Sequence, residues 1–183
     1  MERDRLLAIL KEKSYEQREV TLASGKKSNF YIDCKQTTLD AEGSYLVGRL
    51  MYKKIREMPE KIDGVGGLTL GADPIATAVS MTSFMEGSPF PAFIIRKEPK
   101  GHGTGQWLEG KKNLSNGDRV VIVEDVVTTG GSSLKAVRRA EEEGLEVAAL
   151  LALVDRSEGG RENIEKEGYR LESLFVRDDF VNG

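Results

Sequence analysis

The segment RVVIVEDVVTTGGSS, residues 119–133, decides the fold. Val120, Val121, Ile122 and Val123 run without alternation, which reads as a parallel strand buried on both faces. The strand meets two adjacent acids, Glu124 and Asp125, then Val126 and Val127, and then a turn of hydroxyls and glycines. SSLKAVRRAEEEG follows with helical character and closes at Gly144. Carboxylates against the end of a buried strand are costly without partners, so the pair needs an explanation. In one reading the acids cap the helix and the glycines make a tight turn. In the other the turn holds a ligand: in open α/β sheets ligands sit at the carboxyl ends of strands, where the next helix points its free N–H groups and positive dipole end. Gly130 and Gly131 let the backbone approach closely or take positive φ, and Thr128, Thr129, Ser132 and Ser133 add hydroxyl donors, so a monophosphate can be held without a lysine. Glu124 and Asp125, one step earlier, suit the vicinal hydroxyls of a sugar, or metal-bound water, better than the phosphate itself.

The flanking sequence extends this unit in both directions. Residues 39–58 have helical periodicity, KIDGVGGL (61–68) reads as a strand, and GADPIATAVSMTSFMEG (71–87) reads as a helix with Pro74 in its first turn. PAFIIR (91–96) and LEVAALLALVD (145–155) are further strands. The alternation predicts an α/β fold: a mostly parallel, doubly wound sheet flanked by helices. Ahead of it, Leu6, Leu7, Ile9 and Leu10 mark a short amphipathic helix. REVTLASGKKSNFYIDCK (18–35) reads as two extended segments joined by a turn at 24–27, a small N-terminal hairpin-containing subdomain. RKEPKGHGTGQWLEGKKNLSNG (96–117) is too long for an ordinary connection and is expected to be functional or mobile.

Composition narrows the classes. The 183 residues, 39% apolar, suit one domain spanning 1–183. A net charge of -3 gives no global attraction for nucleic acid, so any phosphate site must be local. The single cysteine, Cys34, excludes an intramolecular disulfide and a multi-cysteine metal site, and fits a reducing compartment. No apolar run approaches membrane-spanning length and the N-terminus lacks the pattern of a signal peptide, so a cytoplasmic protein without a membrane partner is expected. No G-x-x-x-x-G-K-[ST] occurs, and neither GVGGLTLG nor GHGTGQ satisfies G-x-G-x-x-G.

VVIVEDVVTTGGS (120–132) closely resembles the phosphoribosyl pyrophosphate signature of the type I phosphoribosyltransferases. TLASGKKSNFYID (21–33), RKEPKGHG (96–103) and DRSEGGRE (155–162) are similar to the N-terminal segment, the catalytic loop and the segment after the last long strand of the orotate phosphoribosyltransferases. The resemblance implies the type I phosphoribosyltransferase fold. It also implies transfer of ribose 5-phosphate from phosphoribosyl pyrophosphate to N1 of orotate, with Mg²⁺, in a homodimer. By the same resemblance, Lys97, Lys100 and His102 are catalytic, and Arg96 joins them on phosphoribosyl pyrophosphate. Glu124, Asp125, Val126, Val127, Thr128, Thr129, Gly130, Gly131 and Ser132 hold the rest of that substrate, and Thr128 and Arg156 contact orotate. No residue is expected to ligate metal by itself. The chemistry agrees: substitution at an anomeric carbon builds negative charge on the departing pyrophosphate, which cations and Mg²⁺ stabilise, and a planar arginine fork suits the carboxylate of orotate. For Arg156 a salt bridge with Asp155 or Glu158 is the structural alternative. Phe30 and Tyr31 either flank the pyrimidine through their backbone or belong to the core. Gly101, Gly103 and Gly105 would let the loop close as a lid, and in the resembling dimers that loop reaches the partner's site, so Lys97 is expected at the partner's turn. Two lysines found in some relatives are missing, where this chain has Ala23 and the Gly71/Asp73 turn. A regulator with the same fold, or a purine-using enzyme, are the competing readings. The first would need a basic face or an added nucleic-acid-binding segment, and Arg156 speaks against the second.

Overall fold

Strand order turns the quoted segment into the edge of a crevice. The computed structural model describes residues 1–18, 20–21, 27–99 and 106–182. Its six-stranded sheet contains β5 (Gly64–Leu68), β6 (Ala92–Ile95), β7 (Leu108–Glu109), β8 (Arg119–Val127), β9 (Glu146–Asp155) and β10 (Leu171–Val176), in the order β10-β9-β8-β5-β6-β7. All neighbours are parallel except β7, which runs antiparallel to β6. From β5 the chain moves one way through α4 (Ala72–Met85) to β6. From β8 it moves the other way through α5 (Gly131–Glu142) to β9 and through α6 (Gly160–Lys166) to β10. The carboxyl ends of β5 and β8 therefore flank the switch point where ligands bind in such sheets.

The uninterrupted apolar runs follow from burial on both faces. Val121 and Val123 of β8, with Leu151 and Leu153 of β9, pack under α1 (Glu2–Lys13), α3 (Ala41–Arg56) and α4. Val120 and Ile122, with Leu150 and Ala152, pack under Ala136, Val137 and Ala140 of α5. Side chains alternate across a strand, so each face takes every second residue. Asp40 caps α3 by accepting the Gly43 N–H at 3.0 Å, and Pro74 sits in the first turn of α4 as expected.

The N-terminal region bears out the hairpin reading. β2 (Val20–Thr21) and β3 (Lys27–Ser28) pair antiparallel, with the connection 22–26 outside the described residues. β1 (Tyr15–Glu16) pairs antiparallel with β4 (Tyr31–Ile32), and the short α2 (Lys35–Thr38) follows. Tyr15, Phe30, Phe175 and Phe180 form an aromatic cluster with centroid separations of 5.0 to 6.3 Å. It ties this subdomain to α7 (Arg177–Val181) at the C-terminus. The Phe30 ring is fully buried, so of the two open readings its side chain takes the core one.

Two stretches carry elements beyond those the sequence pattern predicts. Within 96–117 the chain forms β7 and a 3₁₀ turn, Lys111–Asn113. After β9 it forms α6, β10 and α7, none of which was anticipated, because each is short and β10 interrupts its apolar pattern with Glu172 and Ser173.

Candidate active site

Glu124 and Asp125 part to opposite faces of β8, which answers the puzzle of the paired acids. Glu124 turns toward α5 and is only 7% exposed. Its Oε2 accepts the Ser132 hydroxyl at 3.0 Å and the Ser133 hydroxyl at 3.2 Å. Burial pushes its pKa up to about 8, with the charge of Asp125 and a side-chain interaction with that neighbouring carboxyl adding to the rise and the two serine hydroxyls opposing it. Asp125 turns toward the start of α4 and is partly exposed, and its Oδ1 accepts the Val126 N–H at 2.9 Å. A Cβ built on Gly71 would lie 2.4 Å from that oxygen, so a side chain there would have to displace the carboxylate.

These contacts revise the reading of the turn. Ser133 is fully buried and donates to Glu124, so it is not a phosphate donor; the Ser132 hydroxyl points the same way. Backbone is what α5 offers instead. Its N-cap is Gly130 at φ +80°, which has no side chain to cap the helix, and a helix N-terminus without a side-chain cap is suited to an anion. The Asn163 side-chain amide donates to the Thr129 carbonyl at 3.0 Å, and the Arg156 N–H donates to the Val127 carbonyl at 3.0 Å, so α6 and the end of β9 brace the turn.

Arg156 stands at the end of β9, buried at 7% exposure. Its Nη2 donates to the Phe30 carbonyl at 2.8 Å and to Glu158 Oε1 at 3.0 Å, and its guanidinium carbon lies 5.4 Å from the centre of the Phe30 ring. Of the two expected carboxylates it pairs with Glu158. Asp155 pairs with Arg161 at 3.3 Å. The Phe30 backbone thus does reach the arginine, across 126 positions of sequence.

Beyond β6, Arg96 forms an ion pair with Glu109 at 3.1 Å across the β6–β7 pair. Lys97 lines a hollow of about 560 Å³ together with Leu68, Trp107, Ser132, Lys135 and Arg139. Lys97 thus shares this hollow with Ser132, at the end of the turn that follows β8 in its own chain. Lys100, His102 and the loop glycines 101, 103 and 105 lie outside the described residues, as does Ala23. In the turn after β5 the Thr69–Leu70 peptide is cis. Thr69 Oγ1 donates to Asp73 Oδ2 at 2.7 Å, while Asp73 Oδ1 is buried and has no hydrogen-bond partner among the described residues. Asp73 lines a second hollow, with Lys35, Leu70 and Met81.

Glu124, Asp125, the turn 126–132, Arg156 and Lys97 thus lie at the carboxyl ends of the parallel strands, with the N-terminus of α5 following β8 and an arginine following β9. Residues 36–180 match the family model described as the phosphoribosyl transferase domain. The orotate phosphoribosyltransferase of Aquifex aeolicus is 51% identical over 178 residues, which are 96% of this chain and 95% of that protein. That of Sorangium cellulosum is 49% identical over 180 residues, 98% of this chain and 93% of that one. Among solved structures, Mycobacterium tuberculosis orotate phosphoribosyltransferase in complex with 5-phospho-alpha-D-ribosyl 1-diphosphate superposes with a TM-score of 0.80 at 36% identity, covering 99% of both chains.

Proposed function

The chain belongs to the phosphoribosyl transferase domain family and, within it, to the orotate phosphoribosyltransferases, and from that premise we propose how its own residues divide the work. The enzyme transfers ribose 5-phosphate from phosphoribosyl pyrophosphate to N1 of orotate, giving orotidine 5′-monophosphate and pyrophosphate in pyrimidine synthesis. One domain, 1–183, carries it. The observation that carries the assignment of residues is the uncapped N-terminus of α5 beside Asp125 and Arg156 at the switch point of the sheet.

The 5-phosphate sits on the N–H groups of the turn 128–132, where the helix dipole favours the dianion. Ribose recognition falls chiefly to Asp125, because Glu124 Oε2 is already taken by two hydroxyls and burial favours the protonated form of Glu124. Arg156 holds the orotate carboxylate and Thr128 lies along the base, which sets N1 against the anomeric carbon. In the transition state the sugar becomes oxocarbenium-like and charge grows on pyrophosphate. Lys97, which lines one hollow with Ser132, meets that charge. Arg96, Lys100 and His102 complete the set, and His102 can also donate a proton to the departing oxygen.

Mg²⁺, when bound, neutralises the pyrophosphate oxygens. The described residues hold no group of three or more His, Cys, Asp or Glu side chains able to cage a metal. Asp125 and the orphaned Asp73 Oδ1, on either side of Gly71, fit as acceptors for its water shell while the substrate supplies the direct ligands.

A homodimer completes this reading. Leu39, Tyr45, Leu70, Met81, Phe84 and Met85 are exposed along α3, α4 and the turns leading into them, with Phe84 at 75% and Met85 at 74%. Such a cluster is the usual mark of a protein contact. An isologous contact there brings two crevices close, since Leu70 belongs to the turn over Asp125. The buried, free Cys34 suits a cytoplasmic setting, and no helix among the described residues is long and apolar enough to cross a membrane. The direct test is orotate loss by the purified protein. Consumption is expected only when phosphoribosyl pyrophosphate and a divalent cation are both present; turnover of adenine or hypoxanthine in place of orotate would refute the reading.

A further inference from the structure

We propose that Glu158 is a positioning residue: it aims Arg156 at the orotate carboxylate through a hydrogen bond, while Arg177 of α7 offsets its charge. The inference rests on the assignment of Arg156 to orotate made above.

Arginine has a long stem, and a guanidinium can recognise a planar carboxylate only if its own plane is fixed. Both hydrogens of Arg156 Nη2 are committed here, one to the Phe30 carbonyl at 2.8 Å and one to Glu158 Oε1 at 3.0 Å. Two acceptors in different directions on one nitrogen set both the position and the tilt of the group. The Arg156 and Glu158 side chains are 9% and 15% exposed, so water screens the contact little. The backbone is shaped for it: Ser157 sits at φ +55°, its N–H held by Asp155 Oδ1 at 2.9 Å, and this bend lets Glu158 fold back on a residue two positions earlier.

A carboxylate so close to a carboxylate-binding arginine would by itself repel the substrate. Arg177 removes that objection. Its Nη1 lies 3.7 Å from the same Glu158 oxygen, and its guanidinium carbon lies 5.6 Å from the centre of the Phe30 ring, against 5.4 Å for Arg156. Two cations and one anion leave one net positive charge, the complement of one orotate carboxylate. The C-terminal helix is in this way coupled to the base site through Phe30.

Two substitutions separate aim from charge. Glu158→Gln loses the charge and keeps an acceptor at the same reach; Glu158→Asp keeps the charge and withdraws the acceptor by a methylene. Steady-state kinetics with each substrate varied should show the Asp variant with a KM for orotate raised about tenfold, equivalent to about 1.4 kcal/mol. Its kcat and its KM for phosphoribosyl pyrophosphate should stay within about twofold, and the Gln variant, which keeps the acceptor and leaves one more positive charge, should have a KM for orotate no higher than the parent's. An Asp variant that resembles the parent, or a Gln variant that is equally impaired, overturns the positioning role. Arg156→Lys serves as the control. If its KM for orotate is unchanged, the assignment of Arg156 itself fails; if it rises while the Asp variant is unaffected, only the role of Glu158 falls.

Discussion

Replacing Glu124 by Gln should make the protein more stable in alkali, by an amount that the geometry sets. In the folded chain burial raises this carboxyl from its ordinary 4.5 to about 8, with the charge of Asp125 assisting. A raised pKa means that the native state binds the proton more tightly than the unfolded chain does. The stabilisation from that proton is full below about pH 4.5 and is lost as pH rises through about 8. Each pH unit of difference corresponds to about 1.4 kcal/mol, so the interval from 4.5 to 8 amounts to about 5 kcal/mol as an order of magnitude. Gln has the same shape and its amide oxygen can accept both the Ser132 and Ser133 hydroxyls, but it has no charge to bury at any pH. Urea unfolding followed through Trp107 fluorescence should therefore give the two proteins similar stability near pH 5, the variant gaining steadily to an advantage of several kcal/mol near pH 9. Parallel stability curves across that range would show that Glu124 is not held protonated, and the division of labour with Asp125 would lose its basis.

Asp125→Asn should leave the fold intact and weaken phosphoribosyl pyrophosphate binding about tenfold or more by calorimetry; unchanged affinity would remove Asp125 from the ribose site. Gly71→Ala should also weaken that binding, because the new methyl group would sit 2.4 Å from Asp125 Oδ1 and must displace the carboxylate or the turn; a variant with the parent's KM for phosphoribosyl pyrophosphate would show that neither matters. Phe84→Glu with Met85→Glu should halve the particle mass in sedimentation if the α3/α4 face is the dimer contact, and an unchanged mass would place the contact elsewhere. Subunit mixing tests the loop: an inactive Lys100→Ala protein mixed with an inactive Gly131→Asp protein should recover activity if the outer loop serves the partner. Lys97→Ala mixed with the same partner should recover none if Lys97 serves its own turn, and recovery in that second mixture would show that it crosses over.

The local facts were legible in the sequence because they are enforced locally. A strand buried on both faces must be apolar throughout, which exposed β8 and β9. Gly130 and Gly131 before an amphipathic helix mark a turn that only a few residue types can make, and Pro74 marks the first turn of α4. The resemblance of the turn, of residues 21–33 and of 155–162 named the chemistry before any contact was known. Tertiary structure decided what depends on distance in space between residues far apart in sequence. Adjacent carboxylates look alike in a string of letters, yet β8 sends Glu124 under the serines of α5, where burial raises its pKa, and Asp125 beneath the turn at Gly71. Arg156 could have paired with Asp155 or Glu158, and only the left-handed bend at Ser157 and the nearness of Arg177 and Phe30 select Glu158. Short elements such as β10 and α7 carry too few residues to show a period, and they form because the edge of β9 and the aromatic cluster around Phe30 are already there to receive them.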